Sequence, residues 1–257
     1  MTREMARYRP QKPRNAKAQS GQPGSGNDLI YGIHAVEAAL GNPNRAIQRI
    51  SVTENAGRRL AKAIAARGVP AEFVKPKDLD RLAGSDARHQ GVVLEASQLP
   101  KATIDDLARA RLVVVLDQVS DPHNVGAVLR SSAAFGVDAL IMTARNSPPL
   151  SATLAKVASG GLEHVKVLRV TNLARTLGEL ANMGFDRIGL DGESEEFFEN
   201  VEISLPFALV LGAEGKGLRR LTAENCDRLC KLRTDGPISS LNVSNAAAIA
   251  LHSLRAS

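Results

Sequence analysis

Three short stretches of the 257-residue sequence carry polar side chains that ordinary helix or turn chemistry does not fully use. The first, DQVSDPHNVGAVLRSSAAFG at residues 117–136, holds Asn124 and Arg130. Asp121 and Pro122 turn the chain and Asn124 is placed to cap a helix. Val125, Val128, Leu129, Ser132 and Phe135 then recur on one helical face, with Arg130 off it. An Arg on an amphipathic helix is ordinarily solvated surface. Here it follows an apolar run and a helix N-terminus, where an anion is favoured. The second stretch, LVLGAEGKGL at residues 209–218, sets Glu214 among Gly212, Gly215 and Gly217, which let the backbone approach a ligand or take positive φ. It is not a Walker loop, because Gly217 and not Ser or Thr follows Lys216. Taken alone it is a tight turn whose carboxylate can cap a helix. The third, DGPISSLNVSNA at residues 235–246, offers Ser239 or Ser240 as a helix cap. Asn242 and Ser244 remain surplus in a first turn, where such side chains compete with helical hydrogen bonding.

The elements that must hold these stretches are parallel strands and their crossovers. RLVVVLD, DALIMT, DRIGLD, FALVLG and LCKLR are apolar runs separated by helical segments, a pattern that predicts a parallel sheet covered on both faces. Ligands of such sheets bind at the carboxyl ends of the strands, so the loops after Leu116, Thr143, Leu190, Leu211 and Leu232 are where chemistry belongs. Upstream, YGIHAVEAAL, GRRLAKAIAARG and KDLDRLAG read as helices, and IQRISV, AEFV and GVVLEA as strands, which together make a smaller α/β unit. The expected division is a basic tail at 1–28, this unit at 29–97, a linker at 98–108 and the parallel-sheet domain at 109–257.

Charge and composition narrow the class. Net charge is +6, and the tail supplies +4 of it: Arg3, Arg7, Arg9, Lys12, Arg14 and Lys17 against Glu4 and Asp28. With its prolines and glycines the tail is expected to be disordered, either a solubilising extension or an arm that adds contacts to a polyanion. No stretch has the roughly 18 consecutive apolar residues of a membrane span, and there is no secretory h-region, so a cytoplasmic chain without membrane attachment is expected. Cys226 and Cys230 lack CxxC spacing, and the five histidines are scattered, so neither a disulfide framework nor a metal site is expected. No glycine fingerprint follows the first strand of the larger domain, which argues against a nicotinamide oxidoreductase.

In their order and spacing, Asn124 with Arg130, then LGAEGKGL, then SSLNVSNAAAIAL resemble the three motifs of the SpoU/TrmH family of RNA ribose 2′-O-methyltransferases, within the SPOUT superfamily. YGIHAVEAAL and ARHQGVVLEA resemble the small RNA-binding domain, similar to ribosomal protein L30e, of the branch that methylates guanosine in 23S rRNA. The resemblance implies an α/β fold whose C-terminal segment forms a trefoil knot, an exception to the rule against knotted chains. It implies a homodimer through the knotted domain and S-adenosylmethionine as cofactor. Leu211, Gly212, Glu214, Gly215, Ile238, Ser240 and Leu241 would contact that cofactor, with Glu214 also in the active-site wall. Asn242 would be a structural or catalytic polar group beside them, and Asn124 and Arg130 would face the target ribose. The chain departs from the family pattern at Leu232, Arg233 and Thr234, where an Ile-Pro pair is usual, and at Asn245, where Val is usual.

The implied reaction is in-line attack of a 2′-hydroxyl on a sulfonium methyl, which needs positioning and loss of a proton but no metal. Members of the family are commonly assigned the matching Arg as base. A guanidinium with pKa above about 12 stays protonated in proteins, so Arg130 is expected instead to clamp a substrate phosphate and stabilise the developing alkoxide. Asn124 would orient Arg130 or the ribose. The front domain favours rRNA, with tRNA as the alternative RNA; a non-catalytic ribosome-assembly factor is the rival from another class. With two Tyr, six Phe and no Trp, recognition is expected to rest on backbone charge, RNA shape and hydrogen bonds more than on stacking.

Overall fold

The structure is a computed structural model that describes residues 27–237 and 240–254. The basic tail, Ile238 and Ser239 lie outside the described residues, so the expected disorder of the tail and the roles given to Ile238 and Ser239 fall there.

The N-terminal unit runs β1 (Asn27–Tyr31), α1 (Ile33–Gly41), β2 (Ile47–Val52), α2 (Glu54–Arg67), β3 (Ala71–Phe73), α3 (Pro76–Ala83) and β4 (Val92–Ser97). Its sheet has the order β1-β4-β2-β3, with β2 and β3 parallel and the other pairs antiparallel. β1 was not expected: Asn27 and Asp28 pair with Ser97 and Ala96, so strand is present two residues before the anticipated boundary. The apolar face of α1, Ile33, Val36, Ala39 and Leu40, closes over Ile50, Val52, Val92 and Leu94 from the sheet. α2 starts at Thr53, whose hydroxyl accepts from the Ala56 N–H, and stops at Gly68 in the left-handed conformation.

After a short 3-10 turn at Ile104–Leu107, the second unit proceeds through β5 (Leu112–Asp117), α4 (Pro122–Ala134), β6 (Ala139–Thr143), α5 (Ala152–Val157), β7 (Lys166–Val170), α6 (Leu173–Asn182), β8 (Asp186–Leu190), β9 (Phe207–Gly212), α7 (Arg220–Ala223), β10 (Arg228–Cys230) and α8 (Val243–Ser253). All six strands are parallel, in the order β10-β8-β9-β5-β6-β7. One face buries Val114, Leu116, Leu140 and Leu209 against α4, α5 and α8, while the other buries Val113, Val115, Ile141 and Val210 against α6. Double coverage makes these strands apolar on both faces. β7 escaped the search for continuous apolar runs because, as an edge strand, it buries only Leu168. The last strand ends at Cys230, ahead of the expected run; Lys231 instead forms an isolated bridge with Phe197.

The two units meet through buried charge. Arg45, on the loop after α1 and only 2% exposed, donates from Nη2 to Glu163 Oε1 at 2.6 Å and from Nη1 to Asp28 Oδ2 at 2.8 Å. Glu163, whose side chain is 3% exposed, also accepts from Asn42 Nδ2 at 2.8 Å. Gly160, at φ 94°, approaches α1 so closely that a Cβ there would lie 2.5 Å from that of Ala38.

Candidate active site

The chain builds the β5–β6–β7 side of the sheet first, then returns to place β8 and β9 on the other side. The strand order therefore reverses between β5 and β9, and the carboxyl ends of strands at such a switch point are where open α/β sheets bind ligands. The loop after β5 and the loop after β9 both end there, because Asp117 is in register with Gly212.

The β9 loop is folded tightly on itself. Ala213 and Gly217 form an antiparallel bridge, with the Gly217 N–H donating to the Ala213 carbonyl at 2.9 Å, and Gly215 and Gly217 take φ of 75° and 62°. A Cβ on Gly212 would stand 2.1 Å from the Gly217 carbonyl carbon and 2.5 Å from the Leu218 nitrogen. Gly212 is thus required by backbone crossing backbone. The far end of the loop is tied down by Arg219, which donates from Nε to Asp117 Oδ1 at 2.7 Å and from its backbone N–H to Oδ2 at 3.0 Å. Neither Asp117 nor Arg219 stood out in the sequence, although a carboxylate ending an apolar strand, here 1% exposed, was the available signal.

The third stretch reaches this switch point through Asn242. Asn242, not Ser239 or Ser240, caps α8: its Oδ1 accepts from the Ser244 N–H at 2.9 Å and from Ser244 Oγ at 2.6 Å. That fixes the orientation of the amide, because the oxygen must face the helix donors. Its Nδ2 then donates to Asn124 Oδ1 at 3.0 Å and to Glu214 Oε2 at 3.4 Å. One side chain thereby joins the β5, β9 and C-terminal loops. The surplus Asn and Ser of the sequence are a cap whose far side is a bridge.

Asn124 is not the cap expected of it. Asp121 caps α4, accepting from the His123 N–H at 2.8 Å, with Pro122 at the first helical position. Asn124 lies further into the first turn and uses its oxygen toward Asn242. Its Nδ2 has no hydrogen-bond partner among the described residues. Leu211 is buried as core, Gly212 is half-buried, and Glu214, Gly215 and Ser240 are exposed. Leu241 shows 36% of its surface beside them. Arg130 stands apart: six residues along α4 from Asn124, roughly 9 Å of helix rise, it is exposed and hydrogen-bonds none of the other three. It lines a cavity of about 640 Å³ between α4 and α1, whose other walls include His34, Glu37, Ser159 and His164.

Among the described residues no group of three His, Cys, Asp or Glu side chains is arranged to hold a metal ion. Burial pushes the Cys226 thiol up to about 12 and the Cys230 thiol up to about 11, so neither is a thiolate near neutrality.

This arrangement is that of a doubly covered parallel α/β protein with a polar site at its topological switch point. Residues 111–252 match the SpoU rRNA Methylase family, and residues 29–102 match the RNA 2′-O ribose methyltransferase substrate-binding family. A 23S rRNA (guanosine-2′-O-)-methyltransferase of Vibrio parahaemolyticus is 42% identical over 235 residues, covering 88% of this chain and 95% of its own. A protein of the same name from Ralstonia nicotianae is 42% identical over 236 residues, covering 88% and 94%. Among solved structures, the SpoU methyltransferase AviRb from Streptomyces viridochromogenes in complex with the cofactor AdoMet is similar, with TM-score 0.74 at 22% identity over 91% of this chain and 92% of that one. The chain belongs to the SpoU rRNA methylase family.

Proposed function

We propose that this protein transfers a methyl group from S-adenosylmethionine to the 2′-hydroxyl of a guanosine in 23S rRNA. The observation that carries the reaction is the convergence of Asn124, Glu214 and Asn242 at the switch point of a SpoU-family chain. The RNA substrate rests on relatives at 42% identity along nearly the whole chain.

The residues present fit the cofactor. The glycine-built β9 loop offers exposed backbone, Glu214 an exposed carboxylate, and Leu241 an exposed apolar surface next in sequence to Asn242. Those are the partners wanted by an amphipathic adenosine that carries an amino-acid cation. Leu211, Gly212, Glu214, Gly215, Ser240 and Leu241, with Ile238, would hold it. When bound, S-adenosylmethionine supplies a methyl group on a positively charged sulfur. The chain's own part is positional: Asn242 locks the three loops together, and the free donor of Asn124 orients the ribose. Arg130, which the fold sets apart from Asn124, Glu214 and Asn242, is assigned the substrate phosphate, held by its planar cation; the stabilisation of the developing alkoxide expected of it requires the ribose to reach toward the α1–α4 cavity.

The same reading includes a domain division at 29–97, 98–108 and 109–257. It also includes a knot formed by the C-terminal segment, consistent with the passage from edge strand β10 back to α8 against α4. Homodimerisation through the knotted domain is supported by Ile249, 43% exposed on the face of α8 opposite its buried side. No helix among the described residues is long and apolar enough to cross a membrane, in keeping with a cytoplasmic enzyme.

The test is a map of 2′-O-methylation in rRNA and tRNA from a strain lacking the gene, complemented by the wild-type chain or by Asn242→Asp. The expected result is one 23S guanosine that loses its methyl group and regains it only with the wild type. A site lost in tRNA alone would reassign the substrate. An unchanged map together with no affinity for S-adenosylmethionine would make the protein a binding factor.

A further inference from the structure

Phe73 occupies an unusual place. It ends β3, the edge strand of the N-terminal sheet, and is 65% exposed, the one exposed Phe or Tyr among the described residues. The ring is nonetheless seated. A Cβ on Gly57 would lie 2.7 Å from Phe73 Cε1 and 3.2 Å from Cζ, so the ring rests on the α2 backbone where the helix has no side chain. Glycine inside a helix is unfavourable, and packing is the usual reason to keep one. Here Gly57 makes room for an aromatic ring whose remaining surface faces solvent.

The flanking segments are mostly cationic, with Glu54 in the first turn of α2 as an exposed acidic exception. Arg58 and Arg59 follow Gly57 in α2, Lys62 stands one turn further, and Lys75 and Lys77 follow Phe73 at the start of α3; all five are exposed. Glu72, the acidic neighbour of Phe73, is engaged by Arg49 at 2.6 Å. An exposed, backbone-supported ring amid cations suits a flat π-system on a polyanion, and RNA is recognised most readily where an unpaired base can swing out and stack on such a ring.

We propose that Phe73 is a stacking platform for an unpaired base of the substrate RNA, with Arg58, Arg59, Lys62, Lys75 and Lys77 tracking the flanking phosphates. This rests on the RNA methyltransferase reading and adds to it a specific anchor on the substrate domain, distant in sequence from the three motif loops. It also revises the expectation that so few aromatics leave recognition to charge and shape.

The absence of Trp makes the test direct, because Phe73→Trp would be the only tryptophan in the full chain. With an unmodified 23S rRNA transcript as probe, its emission is expected to be quenched by stacking and the KM for RNA to stay near wild type. Phe73→Ala and Phe73→Leu are each expected to weaken transcript binding roughly tenfold, with S-adenosylmethionine affinity unchanged, as for loss of one stacked base. A Phe73→Leu variant that binds like wild type would overturn the proposal in favour of a merely apolar contact. So would a Phe73→Ala variant with unchanged affinity, or a tryptophan whose emission ignores the RNA. A wild-type chain that neither binds nor methylates the transcript would instead sink the methyltransferase reading itself, and the platform with it.

Discussion

Asn242 does two things with one amide, and the two can be separated. Asp is as good a helix cap as Asn, so Asn242→Asp should keep α8 capped. It removes the Nδ2 donor and puts a carboxylate where the amide lay 3.4 Å from Glu214. The expected outcome is a Tm near wild type with kcat/KM down at least about tenfold; Asn242→Ala should lose both, with the missing cap costing about 1 kcal/mol. Circular-dichroism melts beside a methyl-transfer assay check this, and equal losses of stability in both variants would show that the bridge is only structural. Arg130 is separable by chemistry as well. If it clamps a phosphate through a planar fork, Arg130→Lys should lose roughly tenfold or more in kcat/KM at every pH, since Lys is a point charge. A near-normal rate merely displaced along the pH axis would make it the base. At this scale the sequence was only partly legible. Asn124, Glu214 and Asn242 were recognisable as a set, but local rules assigned the caps wrongly, because whether an Asn caps its helix or reaches across to another loop depends on partners 28 and 118 residues away. The two cysteines are free, Cys230 buried and Cys226 half-buried. Their thiols, raised to about 12 and about 11 by burial, stay protonated in the fold while an unfolded chain would ionise near the ordinary thiol value. Their contribution is therefore intact below that value and lost as pH rises from there through 11 to 12. Alkylation at pH 8 should be slow in the native protein and fast in denaturant.

At the scale of elements, the β9 loop is held by backbone approach at one end and by the Asp117–Arg219 pair at the other. Its glycines are consequently not equivalent. Gly212→Ala would drive a methyl group to within 2.1 Å of the Gly217 backbone, atoms that can yield only if the loop opens. Gly215→Ala meets nothing within 4 Å and suffers only from its φ of 75°, a strain of about 1 kcal/mol. Calorimetric titration with S-adenosylmethionine should therefore show affinity abolished or cut by more than about a hundredfold in Gly212→Ala, and changed by less than about tenfold in Gly215→Ala. Equal effects would mean that the loop's shape is not what binds. The spacing of LGAEGKGL could suggest a tight loop, but not which glycine lies against backbone, since that needs the return of Gly217 over Gly212. The same limit governed the strands. Runs apolar on both faces were readable because both faces are buried, whereas β1 opens on polar Asn27 and Asp28 and β7 buries only Leu168, so neither shows the same pattern.

At the scale of the molecule, the feature that no local pattern signals is the docking of the two units, because Arg45 and Glu163 are 118 residues apart. Their pairing sets the relation between α1 and α4, and Arg130 lies in the cavity between those helices. The separation of the RNA-facing ring at Phe73 from the site at Asn242 is fixed by the same contact. Glu163→Gln keeps the shape but leaves the buried Arg45 cation with Asp28 as its carboxylate partner, a cost of about 3 kcal/mol for a buried charge deprived of its mate. If that cost falls on docking, the opened form rises roughly a hundredfold. Trypsin should then cut faster at exposed Lys101 between the units, and the KM for RNA should climb while affinity for S-adenosylmethionine holds. Combining Arg45→Met and Glu163→Leu with Asp28→Asn removes the three coupled charges together and leaves an apolar contact, a replacement that buried ionic clusters often tolerate. Protease resistance and KM should both recover in that triple variant. Recovery of resistance without recovery of KM would show that the ion pair itself, and not the closeness of the two units, sets the path of the RNA; no change in either measure for Glu163→Gln would show that packing, of Gly160 on Ala38 and of Ala152 and Lys156 on Tyr31, holds the units without the ion pair.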